Sequence, residues 1–263
     1  MSLHIESVGV GPPLLLLHGW ALHAGIFASL LPALAARHRV HALDLPGHGH
    51  SPTIAPYTLD AIVDAVVDAL PRDVGVVQPL AIVGWSFGGL VAQRLAHRYR
   101  GRVARLVLIC TTPRFVNGAG WSQGVEPRVL AQFADELRVA YDVTIRRFLS
   151  LQMQGLADAR ATLAQMRVQL DARPRADAAA LDAALAILQA ADLRDAAPSL
   201  EMPTLIITGG RDALTPARAG TWLASAMPAA THAHIADAAH VPFLSHRAAF
   251  DAALAAFFDA RAA

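Results

Sequence analysis

The stretch LAIVGWSFGG at positions 80–89 constrains the fold more tightly than any other part of the chain. Residues 80–83 are a short apolar run of strand character, and residues 90–99 carry apolar side chains at helical spacing. A strand must therefore pass directly into a helix through Gly84-Trp85-Ser86-Phe87-Gly88, a G-x-S-x-G sequence followed by Gly89. The missing side chains at Gly84 and Gly88 relieve the crowding of so sharp a turn. Such a turn presents the Ser86 hydroxyl at the carboxyl end of a sheet. The start of the next helix aims backbone N–H groups at negative charge developing there. Ser86 is thus the candidate nucleophile. A glycine-rich packing turn in another doubly wound protein could share these letters, but it leaves the downstream pattern unexplained.

That downstream pattern is an α/β alternation. Residues 14–17, 40–43, 80–83 and 103–110 read as strands, and 59–70 as a helix, which predicts a mostly parallel central sheet flanked by helices. The rhythm changes after Pro113. Segments 129–139, 144–154, 156–170 and 178–189 have helical character only, with breaks expected at Gly155 and Pro174. Sheet rhythm returns at 204–208, with a helix over 216–226, a strand at 232–235 and an amphipathic helix over 248–263. The expected organisation is a core of residues 1–112 and 194–263, interrupted by a helical cap insertion at 113–193. With 263 residues, 54% of them hydrophobic and 16% charged, the chain can bury one such core.

A serine hydroxyl needs an adjacent base, and the base needs an acid to fix its tautomer. Among 12 histidines, His240 follows the last strand across the loop 236–239 and fits the base. His232 and His234 alternate within that strand and read as structural, and His246 lies too close to the final helix. Asp212 follows the 204–208 strand through Gly209-Gly210, giving the chain order serine, acid, histidine. The other position for an acid, after the 103–110 strand, reads Thr111-Thr112-Pro113 and holds no carboxylate. Asp44 organises its own glycine-rich loop, and Asp237 is near His240 only in sequence. Acyl transfer also requires donors for an oxyanion. The N–H groups of Phe87 and of Trp20, in the loop after residues 14–17, are the candidates, with His18 and Gly19 shaping that loop.

Composition removes several other chemistries. All 22 basic residues are arginine, so a Walker A lysine and a lysine Schiff base are excluded. A net charge of +1 gives no general reason to expect nucleic acid or a membrane surface. No apolar run approaches the roughly 18 residues that span a bilayer, and the amino terminus shows no basic-then-apolar leader. Cys110 is the one cysteine, expected at a buried strand end, so no intrachain disulfide forms and a cytoplasmic setting is the expectation. There is no HExxH or CxxC, and Gly47 and Gly49 lack the third glycine of a dinucleotide loop. Neither a metal nor a cofactor is expected.

The motifs HGW (18–20), DLPGHGHS (44–51), GWSFGG (84–89), GGRDALTP (209–216) and AAHVPFLSHRAAF (238–250) together resemble the α/β-hydrolase superfamily in content and order. Over most of its length the chain is more closely similar to the pimeloyl-[acyl-carrier-protein] methyl ester esterases of biotin biosynthesis. LLLHGWALHAGIF, ALDLPGHG, GWSFGGLVAQ and RRFLSLQMQG (146–155) carry this likeness. The resemblance implies an α/β-hydrolase fold with a helical cap and a serine carboxylesterase acting on the methyl ester of pimeloyl-acyl carrier protein. It also implies Trp20, Trp85, Phe115, Phe148 and Leu151 as walls of an apolar acyl channel, and Phe243, the aromatic beside the histidine, as a further substrate-binding residue. An acidic carrier needs a basic docking face. Between 146 and 175 six arginines stand against two aspartates. Arg147 and Arg160 match carrier-facing arginines of that family. Two others become Val143 and Ala164, with Arg146 and Arg167 nearby as substitutes. Two further readings remain: a broad short-chain carboxylesterase or lactonase acting on small esters, and a catalytically silent hydrolase-fold protein that binds a partner.

Overall fold

A computed structural model of the chain describes residues 2–74, 78–156 and 158–260. The strands are β1 (Ile5–Val8), β2 (Pro13–Leu17), β3 (Arg39–Leu43), β4 (Leu80–Trp85), β5 (Val103–Ile109), β6 (Thr204–Gly209) and β7 (Ala230–Ile235). The α-helices are α1 (Leu31–Ala35), α2 (Leu59–Ala69), α3 (Phe87–Arg98), α4 (Pro127–Val139), α5 (Tyr141–Leu151), α6 (Ala159–Asp171), α7 (Ala178–Ala190), α8 (Ala217–Ala226), α9 (Pro242–Ser245) and α10 (Arg247–Asp259). The strands form one sheet in the order β1-β3-β2-β4-β5-β6-β7, in which β1 pairs antiparallel with β3 and every other pairing is parallel.

The apolar runs form strands because both faces of the sheet are covered. Alternate residues go to opposite sides. Leu15, Leu17, Ile82, Leu106, Leu108 and Ile206 join the core with Val63 of α2 and Leu90 of α3. Leu14, Leu16, Val83, Val107, Leu205 and Ile207 join the other with Phe250 and Leu254 of α10. The register brings the carboxyl ends of the strands into line, with Leu17 opposite Gly84, Gly84 opposite Leu108, Ile109 opposite Ile207 and Gly209 opposite Ile235. The loops after β2, β4, β6 and β7 therefore emerge at one edge of the sheet.

Most element ends move by only one to three residues from the sequence expectation, and β1, α3 and the last helix differ for identifiable reasons. The edge strand β1 has no apolar run to mark it, because three of its four residues are exposed. Helix α3 begins at Phe87 rather than at 90, so Gly88 and Gly89 lie inside it. Their poor helix propensity hid them, but close packing requires them: a Cβ on Gly88 would lie 2.2 Å from the Leu17 carbonyl oxygen, and one on Gly89 2.6 Å from Thr111 Cβ. The last helix ends at Asp259, and residues 261–263 of the segment expected to be helical lie outside the described residues, as does Ala157 of the 156–170 segment.

Parallel neighbours β5 and β6 are separated in sequence by α4, α5, α6 and α7. This helical segment is tied to the core by polar contacts. Arg173 donates from its guanidinium to both carboxylate oxygens of buried Asp44 at 2.9 Å and to Glu6 at 2.8 Å. The Trp20 indole N–H donates to the Leu181 carbonyl at 3.0 Å, and the Asp177 N–H to the Gly47 carbonyl at 2.8 Å. By position Arg173 belongs with the basic face of 146–175, but it turns inward, because Asp44 is a buried carboxylate that needs a cation.

The glycine packing gives a direct test. Overpacking of a tight site costs about 1–3 kcal/mol, so Gly88→Ala should lower the urea unfolding free energy by at least that much. Gly101→Ala, where a Cβ meets nothing within 4 Å, should stay within about 0.5 kcal/mol of the parent.

Candidate active site

The turn after β4 holds Ser86 at φ 55° and ψ −119°, a left-handed conformation that a non-glycine residue adopts only under constraint. The constraint is visible in its hydrogen bonds. The Ser86 N–H donates to the Ile109 carbonyl at 2.9 Å. The Ser86 carbonyl accepts from Gly89 N–H at 2.9 Å, Leu90 N–H at 3.2 Å and the Thr111 hydroxyl at 2.7 Å. Across the turn, a Cβ on Gly84 would lie 2.6 Å from the Gly88 carbonyl.

The loops after β6 and β7 meet this turn. His240 Nε2 lies 2.9 Å from Ser86 Oγ, and His240 Nδ1 lies 2.8 Å from Asp212 Oδ2. All three side chains are buried. The consistent tautomer has Nδ1–H donating to the carboxylate and Nε2 accepting the serine proton. Asp212 is held from both sides: Oδ1 accepts the N–H groups of Leu214 at 2.8 Å and Thr215 at 2.9 Å, and Oδ2 accepts the Thr215 hydroxyl at 2.5 Å. Burial opposes its charge, but His240 and the Thr215 hydrogen bonds outweigh that penalty and hold the carboxyl below its usual range. The His240 N–H donates to the Gln152 carbonyl at 3.2 Å, and the His240 carbonyl accepts the Trp85 indole N–H at 2.8 Å.

The loop after β2 lies against the same turn, since a Cβ on Gly19 would come within 3.3 Å of Ser86 Cβ. Among the described residues, neither the Trp20 N–H nor the Phe87 N–H is spent on a protein acceptor. His18 is occupied otherwise: its Nε2 accepts the Leu45 N–H at 2.9 Å and its Nδ1–H donates to the Gly19 carbonyl at 2.8 Å. Burial, with His48 next to it, pushes His18 down to about 3. It shapes the loop as a neutral ring.

Ser86 opens onto a cavity of about 240 Å³ lined by apolar side chains, among them Trp20, Phe115, Phe148 and Leu151. Leu214, within GGRDALTP, also lines it, as do Phe133 and Leu185, which no motif marked. Phe133 and Leu185 sit on the inward stripes of α4 and α7, which only the helical period could have indicated. Trp85 and Phe243 correct the sequence reading, because neither lines the cavity. Both are buried beneath the catalytic loop, where their rings meet edge to face at 5.2 Å, and Trp85 packs against His240 at 5.5 Å. Consecutive strand residues point to opposite faces, so the residue before the serine lies under the site rather than in it.

Of the arginines, Arg146, Arg147, Arg160 and Arg167 are all exposed on α5 and α6. Arg147 pairs with Glu136 at 2.6 Å. Arg146 and Arg167 flank a second hollow of about 330 Å³ between these helices. Cys110, Asp212 and His240 offer donor atoms within 4.8 Å of one another. The hydrogen bonds assign the carboxylate and the imidazole to the serine, and the Cys110 thiol lies 3.7 Å from the Ala239 carbonyl.

The comparisons agree with this geometry. A sequence profile described as alpha/beta hydrolase fold matches residues 12–247. The chain is 40% identical over 262 residues to a pimeloyl-[acyl-carrier protein] methyl ester esterase of Chromobacterium violaceum, covering all of both chains. It is 43% identical over 246 residues to the enzyme of that name in Methylococcus capsulatus, covering 94% of each. The chain belongs to this family of α/β-hydrolases. Among solved structures, the hydrolase matches an esterase from Exiguobacterium antarcticum with a TM-score of 0.87 at 19% identity, covering 98% of this chain and 96% of that one. It also matches the enol-lactonase of Burkholderia xenovorans with a TM-score of 0.82 at 25% identity, covering 98% and 96%.

The buried histidines of the hydrolase make its stability acid-sensitive. Burial lowers His18 to about 3 and His48 to about 4 from the usual 6.5. Below about pH 6.5 the unfolded chain takes up protons that the folded chain refuses, so stability falls as pH drops from there toward 4. The depressed Asp212 adds nothing to this window, since its contribution fades only below its ordinary value of 3.8. The urea midpoint at pH 5 should lie well below that at pH 7.5; equal midpoints would contradict neutral burial of these rings.

Proposed function

We propose that this hydrolase is a serine carboxylesterase that removes the methyl ester from a pimeloyl group carried on acyl carrier protein. The observation that carries this reading is the Ser86–His240–Asp212 hydrogen-bond chain opening onto an apolar cavity, in a chain that aligns end to end with relatives of that name. Residues 113–193 serve as a cap over the core of 1–112 and 194–263, so that cap and core both wall the cavity. The reading also sets the chain in the cytoplasm, where its single free thiol, Cys110, stays reduced. No helix among the described residues is long and apolar enough to cross a membrane.

In this mechanism Ser86 Oγ attacks the ester carbonyl carbon while His240 Nε2 takes its proton. Asp212 stabilises the resulting imidazolium through Nδ1–H. The N–H groups of Trp20 and Phe87 receive the oxyanion. Collapse of the tetrahedral state breaks the bond to methoxide, which leaves as methanol with the proton from His240. Water then attacks the acyl-enzyme, giving up one proton to His240, and the second tetrahedral state releases the carboxylate and restores Ser86. Methyl ester and water thus become acid and methanol. Trp20, Phe115, Phe148 and Leu151 bind the methylene chain, and Arg146, Arg147, Arg160 and Arg167 meet the acidic carrier.

A second reading, a hydrolase of small esters or lactones, is favoured by the basic face itself. Val143 and Ala164 are exposed and uncharged, Arg147 is engaged by Glu136, and Arg173 is withdrawn to Asp44. The two readings separate on kcat/KM. Under the carrier reading, methyl pimeloyl-carrier protein should exceed free monomethyl pimelate and p-nitrophenyl butyrate by about tenfold or more, a difference of about 1.4 kcal/mol in transition-state binding. Arg147→Glu and Arg160→Glu should remove most of that preference without slowing the small esters. Equal or faster turnover of the small esters by the parent enzyme would favour the second reading.

A further inference from the structure

The acid of the triad has a neighbour that the mechanism leaves unused. Thr215 is buried, three residues beyond Asp212 at the start of the turn into α8. Its hydroxyl lies 2.5 Å from Asp212 Oδ2, the oxygen that also receives His240 Nδ1–H at 2.8 Å. Its Oγ1 is 3.4 Å from Nδ1 itself, and its backbone N–H donates to Oδ1 at 2.9 Å. Thr215 does not line the substrate cavity, whereas Ala213 and Leu214 do. One residue therefore contacts both carboxylate oxygens of the acid while making no contact with the space where substrate binds.

We propose that Thr215 is a positioning residue for the catalytic acid, its hydroxyl sharing Oδ2 with the imidazole so that the carboxylate plane is fixed and part of its charge is dispersed. This rests on the triad reading above. Two consequences follow from the shared oxygen. A carboxylate with Oδ1 held by two N–H groups and Oδ2 by a hydroxyl cannot rotate about its Cβ–Cγ bond, so Nδ1–H meets a fixed acceptor. A hydroxyl donated to Oδ2 also takes up part of the negative charge that an imidazolium at Nδ1 would meet, so the hydroxyl bears on how strongly the charged ring is stabilised. Among the described residues, Cys110, just after β5, is a further titratable side chain facing the pair. Burial and the Asp212 carboxylate push its thiol well up, so it stays neutral through the range that matters.

The test separates the hydroxyl from the methyl group of threonine by pH–rate profiles of kcat/KM for a small ester. Thr215→Val and Thr215→Ala both lack the hydroxyl, whereas Thr215→Ser keeps it and loses only the methyl group. The acid limb should move up by about half a unit or more in the valine and alanine variants. Their kcat should fall severalfold with KM little changed, and the serine variant should follow the parent in both respects. If the valine variant does not fold, the alanine and serine pair still isolates the hydroxyl. The inference is overturned if the acid limbs coincide in an active parent and its hydroxyl-free variants, or if alanine and serine change together while valine does not. An inactive parent would overturn the triad reading itself, and the inference with it.

Discussion

The left-handed backbone of Ser86 is the constraint on which the site depends. A non-glycine residue held there costs about 1–3 kcal/mol, and the turn survives because its surroundings leave it no alternative. Its N–H and carbonyl are both bonded into the neighbouring strand end, by Ile109 and by the Thr111 hydroxyl. Gly84, Gly88 and Gly89 supply the close approaches that a side chain would block. The turn sits between β2 and β5, so the loop after β2 reaches it from one side and the loops bearing Asp212 and His240 from the other. Strain at one residue is thus exchanged for a hydroxyl that projects from a rigid sheet edge, with its base already 2.9 Å away.

A second layer of order links the helical segment to these same loops. The Gln152 carbonyl receives the His240 N–H, and the Leu181 carbonyl receives the Trp20 indole N–H. Arg173 reaches Asp44, whose carboxylate also accepts the Ala24 N–H, beyond the loop after β2, and the His50 N–H. Burial pushes Asp44 up, but those N–H groups and the Arg173 guanidinium outweigh it and keep it ionised. Removing one partner of such a pair strands a buried charge, a far greater cost than the pair itself contributes. The helical segment that walls the cavity and the loops that carry Trp20 and His240 are therefore held by common contacts.

Much of this was legible in sequence. The strands could be read because burial on both faces makes them continuous apolar runs, and β1 could not because it is a polar edge. Ser86, Asp212 and His240 stand out as candidates in the sequence because acyl transfer demands particular residue types at successive strand ends. The structure brings these three within hydrogen-bonding distance. Direction was harder to read than position. Trp85 and Phe243 lie one and three residues from Ser86 and His240 in sequence yet point into the core. Arg173 looks like its surface neighbours until Asp44 is placed opposite it. Thr215 left only a faint signal, a threonine in the turn after the acid, since a side-chain contact to a carboxylate three residues back has no motif of its own.

The most direct test of the account is mass spectrometry of the folded protein after treatment with a fluorophosphonate, which reacts with a serine only when a neighbouring base activates it. The account predicts a single adduct on the peptide containing Ser86, abolished by Ser86→Ala and strongly reduced by His240→Ala. No adduct on the folded parent, or one on another serine that persists in Ser86→Ala, would contradict it.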